Sequence, residues 1–482
     1  MIDKLTKHPQ GSIKELFTVS LPLMISALAS LLMIFVDRCF LARYSLDALN
    51  ASVNSGTLAW AFMGGFGMLT VMSSIFVAQY NGSKQLDKIG KSVWQMIWIS
   101  VFSTLFFIPL AYMSYLIFKT PKYANYQIDY FKYLMFFSPF YPLYTALSGF
   151  FIGRGKAKIL IYVAIFANLI NVLFDYILIF GIKGFIPSYG IKGAAIATSL
   201  GTVFQAIILG YLFFSKENIK TYKTNDYKLD FSLLKKSFKV GFPPAIFFTL
   251  EMIGWAIFYI MMTKISEMHI TVSSICQSIV ILLSFFFDGL HRGISALAGN
   301  FIGAKKTELI NKLVKASIKL LVIFTIIVSM FLIIDSKIVI DFLIPKNIEG
   351  KIAALQKSSN IAFYSTLKIC FYYVFAYLFF EGIRWIFAGL LTAAGDTLFL
   401  LIAGSLSVWI FLLLPIYFIV VRFSLSVEIA WLFAASYAFI LSIIYFIRFK
   451  NGKWKSIKLL EEKTPIEDEV IESIQKNEND LS

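Results

Sequence analysis

Residues 168–181 read Asn-Leu-Ile-Asn-Val-Leu-Phe-Asp-Tyr-Ile-Leu-Ile-Phe-Gly, an apolar run that carries two amides and a carboxylate. Asn168, Asn171 and Asp175 stand at i, i+3 and i+7, so a helix presents all three on one face. A carboxylate at the bilayer centre costs at least about 2.5 to 3.5 kcal/mol, which marks it as a group that binds or carries something. Asp37, close to the end of the first apolar run, and Thr198, close to the start of the sixth, are further oxygen-bearing residues in such surroundings. Counting from the expected helix ends puts Asp37, Asp175 and Thr198 at one level, roughly 7 to 9 Å beneath the outer boundary, with Asn171 one turn deeper. Two carboxylates, an amide and a hydroxyl at one depth can enclose a dehydrated Na⁺, whose oxygen-ligand chemistry they suit, or share a proton. For Asn171 and Thr198 alone, hydrogen bonding between neighbouring helices is the simpler alternative.

The second half carries its acids elsewhere. Glu251 lies about ten residues into the seventh expected helix, Asp288 about twelve before the inner end of the eighth, and Glu381 about thirteen before the inner end of the tenth, which places them roughly 15 to 20 Å above the inner boundary. Arg292 is i+4 from Asp288 and Arg384 is i+3 from Glu381, so each arginine can simply neutralise its neighbour on one helix. Glu251 has no basic residue within a helical turn, which makes it the stronger candidate for a functional acid.

The elements that must hold these groups are membrane helices. With 58% hydrophobic and only 15% charged residues, the 482-residue chain reads as an all-α polytopic membrane protein. Twelve apolar segments are long enough for a hydrocarbon core of about 30 Å, and the alternation a barrel would need is absent. The net charge of +16 would suggest nucleic acid for a soluble protein, but the basic residues gather in alternate loops. Residues 216–239 alone hold seven lysines. This is the positive-inside pattern for an even number of spans with both termini cytoplasmic, so nucleic acid is not an expected partner. The first apolar run is too long for a cleavable signal and is read as the first span. Cys39, Cys276 and Cys370 have neither disulfide nor metal spacing. His8, His269 and His291 form no hydrolytic motif, and no enzyme is expected.

The pattern starts again after the lysine-rich loop. Pro22 and Pro243 are 221 residues apart, as are Gly82 and Gly303, while Gly149 and Gly155 match Gly389 and Gly395 at an offset of 240. Six spans per half give both halves the same orientation, related by an axis along the membrane normal, with substrate between them. The expected division is a first lobe at 1–215, a cytoplasmic linker at 216–239, a second lobe at 240–449 and a disordered cytoplasmic tail at 450–482. Among the 50 Phe and 24 Tyr, most pack helices or face lipid. Tyr141, Pro142, Tyr144, Trp255 and Trp385 are weaker candidates for lining a cavity for flat organic cations.

Asn171-x-x-x-Asp175-Tyr-Ile-Leu-Ile-Phe-Gly, followed by Gly190-Ile-Lys-Gly-Ala-Ala-Ile-Ala-Thr198, resembles the helix five to helix six region of the MATE (multidrug and toxic compound extrusion) transporters. Val36-Asp37 resembles their helix one, Gly241-Phe-Pro-Pro to Glu251 their helix seven, and Glu381 to Gly395-Asp396-Thr397 their helix ten. The resemblance implies twelve helices in two six-helix lobes, alternating access, and export of lipophilic, often cationic, small molecules across the inner membrane, driven by Na⁺ or H⁺ entry. It further implies that Asp37, Asn171, Asp175 and Thr198 are the first-lobe cation site, while Glu251 matches the acidic helix-seven position and Glu381 stands where Asp is usual. Arg38 beside Asp37 and Asp288 in helix eight depart from the family pattern. A lipid-linked oligosaccharide flippase of the same superfamily would need a basic cavity for diphosphate, and a membrane scaffold or receptor would have no use for acids at matched depth. Beyond the coupling ion, no cofactor is expected, and beyond substrate and bilayer no obligate protein partner.

Overall fold

The computed structural model describes residues 5–119, 123–334, 339 and 357–460. Among the described residues the architecture is all-helical, with no strand beyond a single bridge between Ile182 and Ile186. Of the expected tail at 450–482, residues 461–482 lie outside them, whereas its root is ordered: a short 3₁₀ helix, Lys453–Ser456, carries Trp454 stacked on Phe449, and Leu459 is buried.

Eleven helices are long and apolar enough to cross a bilayer. They are α1 (Ile13–Tyr44), α2 (Leu46–Gly82), α3 (Asp87–Tyr112), α5 (Lys158–Phe180), α6 (Ile191–Phe213), α7 (Phe231–Ile265), α8 (Glu267–Gly303), α9 (Glu308–Ile334), α10 (Phe363–Ala394), α11 (Thr397–Val421) and α12 (Val427–Lys450). The twelfth crossing, α4, is in two pieces, Ala124–Phe137 and Phe140–Gly153. Each piece is only about 21 Å long, so both are needed to span. Pro139 causes the break, because it has no N–H for the carbonyl a turn below. Ser138 offsets part of the loss, donating its N–H to the Met135 carbonyl (3.2 Å) and its hydroxyl to that of Leu134 (2.8 Å).

Helices α1–α6 and α7–α12 form two lobes with largely separate apolar cores. Between lobes, α1 packs on α8 and α2 packs on α7 and α8. At the basic end of the bundle the repeat shows itself as reciprocal contact. A Cβ on Gly82 would stand 2.1 Å from the Asn300 carbonyl oxygen, and a Cβ on Gly303 would stand 2.1 Å from that of Gln79. Asn300 is 221 residues after Gln79, so each lobe presents the same contact to the other, as an approximate two-fold axis requires. The Asn81 amide donates to Asn300 Oδ1 (2.7 Å) and the Gln79 amide to the Ala393 carbonyl (2.7 Å), closing this end with interhelical hydrogen bonds.

The same offset relates features the sequence does not advertise. Ser45 alone separates α1 from α2, and Ser266 alone separates α7 from α8; both are extended N-caps whose hydroxyls accept an N–H three residues on. Lys84 and Lys305 both take a positive φ, near 60° and 58°, after Gly82 and Gly303. The linker differs from expectation. A short helix occupies Lys216–Tyr222, and α7 begins at Phe231, where Asp230 caps it by accepting from the Leu233 N–H (3.0 Å). Lys235, Lys236 and Lys239 are therefore residues of α7 rather than of a loop. Lys91 also bridges to Asp230 (2.8 Å), and together with that capping N–H it holds the Asp230 carboxyl below the usual carboxylate range.

Candidate functional site

Two buried polar groups stand out, one in each lobe. In the first lobe, α5 and α6 are locked in register by their connection. The Tyr189 and Gly190 N–H groups return to the Leu178 and Ile179 carbonyls (2.9 and 3.2 Å). Gly190 has a positive φ of 54°, and a Cβ there would strike the Tyr44 ring at the end of α1. This clamp brings α1, α5 and α6 together at one level, and Asp37, Asn171, Asp175 and Thr198 meet there. Thr198 Oγ1 donates to Asp37 Oδ2 at 2.8 Å, with the Ala194 carbonyl also in reach at 3.0 Å. Asp37 is 5% exposed, while Asn171 and Asp175 are fully buried. The Asp37 carboxyl faces the Asp175 carboxyl and the Asn171 amide closely enough to interact with both. Even so, Asp37 Oδ1, both oxygens of Asp175, and Asn171 Oδ1 and Nδ2 have no partner with hydrogen-bond geometry. Burying carboxylate oxygens without a donor or counter-charge is strongly unfavourable. Oxygens from two carboxylates, an amide and a hydroxyl fit a small hard cation, or protons shared between the acids. Among the described residues no group of three or more His, Cys, Asp or Glu is placed to hold a metal ion.

Not every polar residue of the motif joins the pocket. Asn168 is half-buried and donates to the Ala29 carbonyl at 2.8 Å, so it ties α5 to α1. Arg38 is exposed and leaves the pocket to its acidic neighbour. Tyr130 of α4, which the sequence does not single out among 24 tyrosines, lies within electrostatic reach of both aspartates.

In the second lobe, Glu251 of α7 and Glu381 of α10 converge on one guanidinium. Arg384 Nε donates to Glu381 Oε2 at 2.8 Å, Arg384 Nη2 contacts Glu381 Oε1, and the same nitrogen lies 3.4 Å from Glu251 Oε1. The Trp385 indole N–H also donates to Glu381 Oε1 (2.8 Å), and the Tyr437 hydroxyl to Glu251 (3.4 Å). Glu251 thus does have a basic partner, supplied through space by α10 rather than along its own helix. Two carboxylates against one arginine leave the group with one formal negative charge. Asp288 stands apart, paired with Arg292 one turn along α8 at 3.0 Å, so the three second-lobe acids divide into two local arrangements. Tyr141 and Tyr144 of α4 lie beside that pair across the lobe junction. Trp255 packs edge-on against Phe258 and Tyr377 in the second-lobe core.

The MatE family model matches residues 22–177 and 243–414, one stretch in each lobe. The chain belongs to the MatE family. The matched stretches hold Asp37, Asn171, Asp175, Glu251, Asp288, Glu381 and Arg384; Thr198 and Tyr437 lie outside them. Among curated MatE-like relatives, a probable multidrug resistance protein NorM of Thermotoga maritima is 24% identical over 456 residues, covering 93% of this chain and 94% of its own. Its namesake in Photorhabdus laumondii is 22% identical over 403 residues, covering 83% and 85%. Among solved structures, MATE in the straight conformation superposes with a TM-score of 0.81 at 17% identity, over 94% of this chain and all of that one. A Pyrococcus furiosus MOP superfamily transporter, described as having a binding pocket of reversed polarity, superposes with a TM-score of 0.79 at 17% identity, over 94% and 100%. The structural likenesses fix the fold as two six-helix lobes of membrane-spanning helices.

Proposed function

We propose that this chain is a cation-coupled multidrug efflux antiporter of the inner membrane, with its basic end and both termini in the cytoplasm. The observation that carries the reading is the first-lobe pocket, in which Asp37, Asn171 and Asp175 hold five buried polar atoms without a partner around an aspartate already bonded to Thr198. With the acids charged, this cluster repels itself; with Na⁺ bound or protons taken up, the same helices pack without that penalty. Loading from the outer side therefore favours one arrangement of α1, α5 and α6, and a substrate that prefers the other arrangement is released as the ion is taken up. The NorM relatives, named as probable multidrug resistance proteins, support drugs as the cargo class. The formal negative charge around Arg384, bounded by Trp385 and Tyr437, suits a cationic aromatic substrate better than a diphosphate.

The test is efflux from proteoliposomes under an imposed Na⁺ gradient, an imposed H⁺ gradient, or neither. Efflux should follow one gradient and vanish without it. Equal efflux under all three conditions, or an Asp37→Asn protein as well coupled as wild type, would overturn the reading.

A further inference from the structure

Away from both polar groups, a groove of about 490 Å³ opens on the flank where the lobes meet, between α2, α3 and α7. Phe66 of α2, Phe102 and Phe106 of α3, and Phe231 and Phe238 of α7 line it, and Lys235 stands among them. Four of these rings are open to the surroundings, from 42% for Phe106 to 75% for Phe231. In water such a cluster would demand a protein partner. Here it lies along membrane-spanning helices, so what covers it is lipid.

We propose that this groove binds one anionic phospholipid of the leaflet at the basic face, with an acyl chain along the phenylalanines and the headgroup on Lys235. Three observations argue for a built site. First, its basic-end walls are fastened together. Lys91 bridges Asp230, the Asp230 N–H donates to Gln95 Oε1 (3.1 Å), and the Trp94 and Trp98 indoles donate to the Thr224 and Tyr227 carbonyls (2.7 and 2.9 Å). Second, Trp98 stacks on Phe102 with ring centroids 6.3 Å apart, so an indole of the kind that settles at headgroup level stands beside the groove. Third, Lys235 is exposed four residues into α7, where a cation meets a phosphate while the rings beside it meet the chain. A neutral lipid would leave Lys235 without a role, and a neutral lipophilic molecule would equally leave it unused. The groove joins α2 and α3 of one lobe to α7 of the other, so a lipid held there touches both moving bodies. This proposal does not depend on the ion-coupling reading.

Native mass spectrometry of the purified full-length chain, exposed to phosphatidylglycerol or phosphatidylcholine of identical chains, tests it. The wild type should retain phosphatidylglycerol about fivefold better, the scale of one juxtamembrane lysine. Lys235→Ala should erase that preference, Lys235→Arg should keep it, and Phe102→Ala with Phe106→Ala should weaken retention of both lipids. Lys239→Ala, an exposed lysine one turn along α7 and outside the groove, should leave the preference intact. Equal retention of the two lipids by wild type would overturn the proposal. So would a preference that survives Lys235→Ala, or one that Lys239→Ala removes equally, since that would be diffuse attraction to a basic surface.

Discussion

The two lobes repeat one architecture but treat their buried acids in opposite ways. In the first lobe, Asp37 and Asp175 face each other without an ion pair among the described residues, the adjacent Arg38 guanidinium being exposed, and a single hydroxyl, Thr198, serves Asp37. In the second, Glu251 and Glu381 share Arg384, and Trp385 and Tyr437 take up further lone pairs. The repeat counterparts make the divergence concrete. Asp37 corresponds to Phe258, fully buried in the apolar core, and Glu251 to Ser30, whose hydroxyl only donates to the Ser26 carbonyl a turn below. At the offset of 240, Glu381 and Arg384 correspond to Tyr141 and Tyr144. A carboxylate that carries its own counter-charge contributes to structure whatever passes by, whereas one without must take its counter-charge from what arrives. The pseudo-two-fold axis therefore relates scaffolds, not chemistry.

The sharpest way to break this contrast is to remove the internal counter-charge. Arg384→Met leaves Glu251 and Glu381 buried without a cation and should cost about 3–5 kcal/mol of stability. Adding Glu251→Gln and Glu381→Gln to it should recover most of that loss, read as thermal midpoints in detergent. If Arg384→Met alone leaves the midpoint unchanged, Arg384 is not the counter-charge that holds the two second-lobe acids in place. The opposite sign is expected in the first lobe. Asp175→Asn removes a buried charge that has no partner, so the midpoint should hold or rise. Gradient-driven efflux should meanwhile fall by about a hundredfold, as expected for a coupling free energy near 3 kcal/mol. A destabilised Asp175→Asn protein that still couples would reverse the assignment of the two lobes.

Much of this was legible in the amino-acid order, because membranes make few demands and make them strictly. Twelve spans and the basic end follow from hydropathy and loop charge, and the 221-residue repeat from the matched prolines and glycines. Asp37, Asp175 and Thr198 fall at one depth because helical rise converts residue counts directly into height. What the order could not give is which helix neighbours which. Glu251 reads as unpaired along α7, since its cation comes from α10, 133 positions later in the chain. Asn168 shares a face with Asn171, yet three residues are 300° of helical turn, enough to aim it at the α1 backbone instead of the pocket. The break in α4 at Pro139 and the start of α7 at Phe231, well before residue 240, were not anticipated, although a proline and a capping carboxylate, Asp230, are their local signals.

The amide pair refines the contrast on a smaller scale. Asn168→Ala removes one interhelical hydrogen bond and should cost roughly 0.6 kcal/mol, the average for such bonds in a membrane protein, with coupling unaffected. Asn171→Ala should do the reverse, sparing stability and weakening ion-dependent efflux. Equal loss of coupling in both variants would mean that the pocket extends a turn deeper than the structure places it.

The smallest expected effect belongs to Asp230, a carboxylate at the basic face that is paired but not membrane-embedded. Its folded-state affinity for a proton is lowered, first by the hydrogen bond from Lys91 and then by the Leu233 N–H. The stability it supplies is therefore complete above the ordinary Asp value of about 3.9 and is lost as pH falls through the lower folded value. Being about a third exposed and screened by solvent, the pair is worth no more than about 1 kcal/mol. Asp230→Asn should thus flatten a shallow acid-side loss of stability while leaving the pH profile of efflux as it is in wild type. If the efflux profile instead moves with Asp230→Asn and not with Asp37→Asn, the titrating unit sits at the basic face and the first-lobe pocket is not the coupling site.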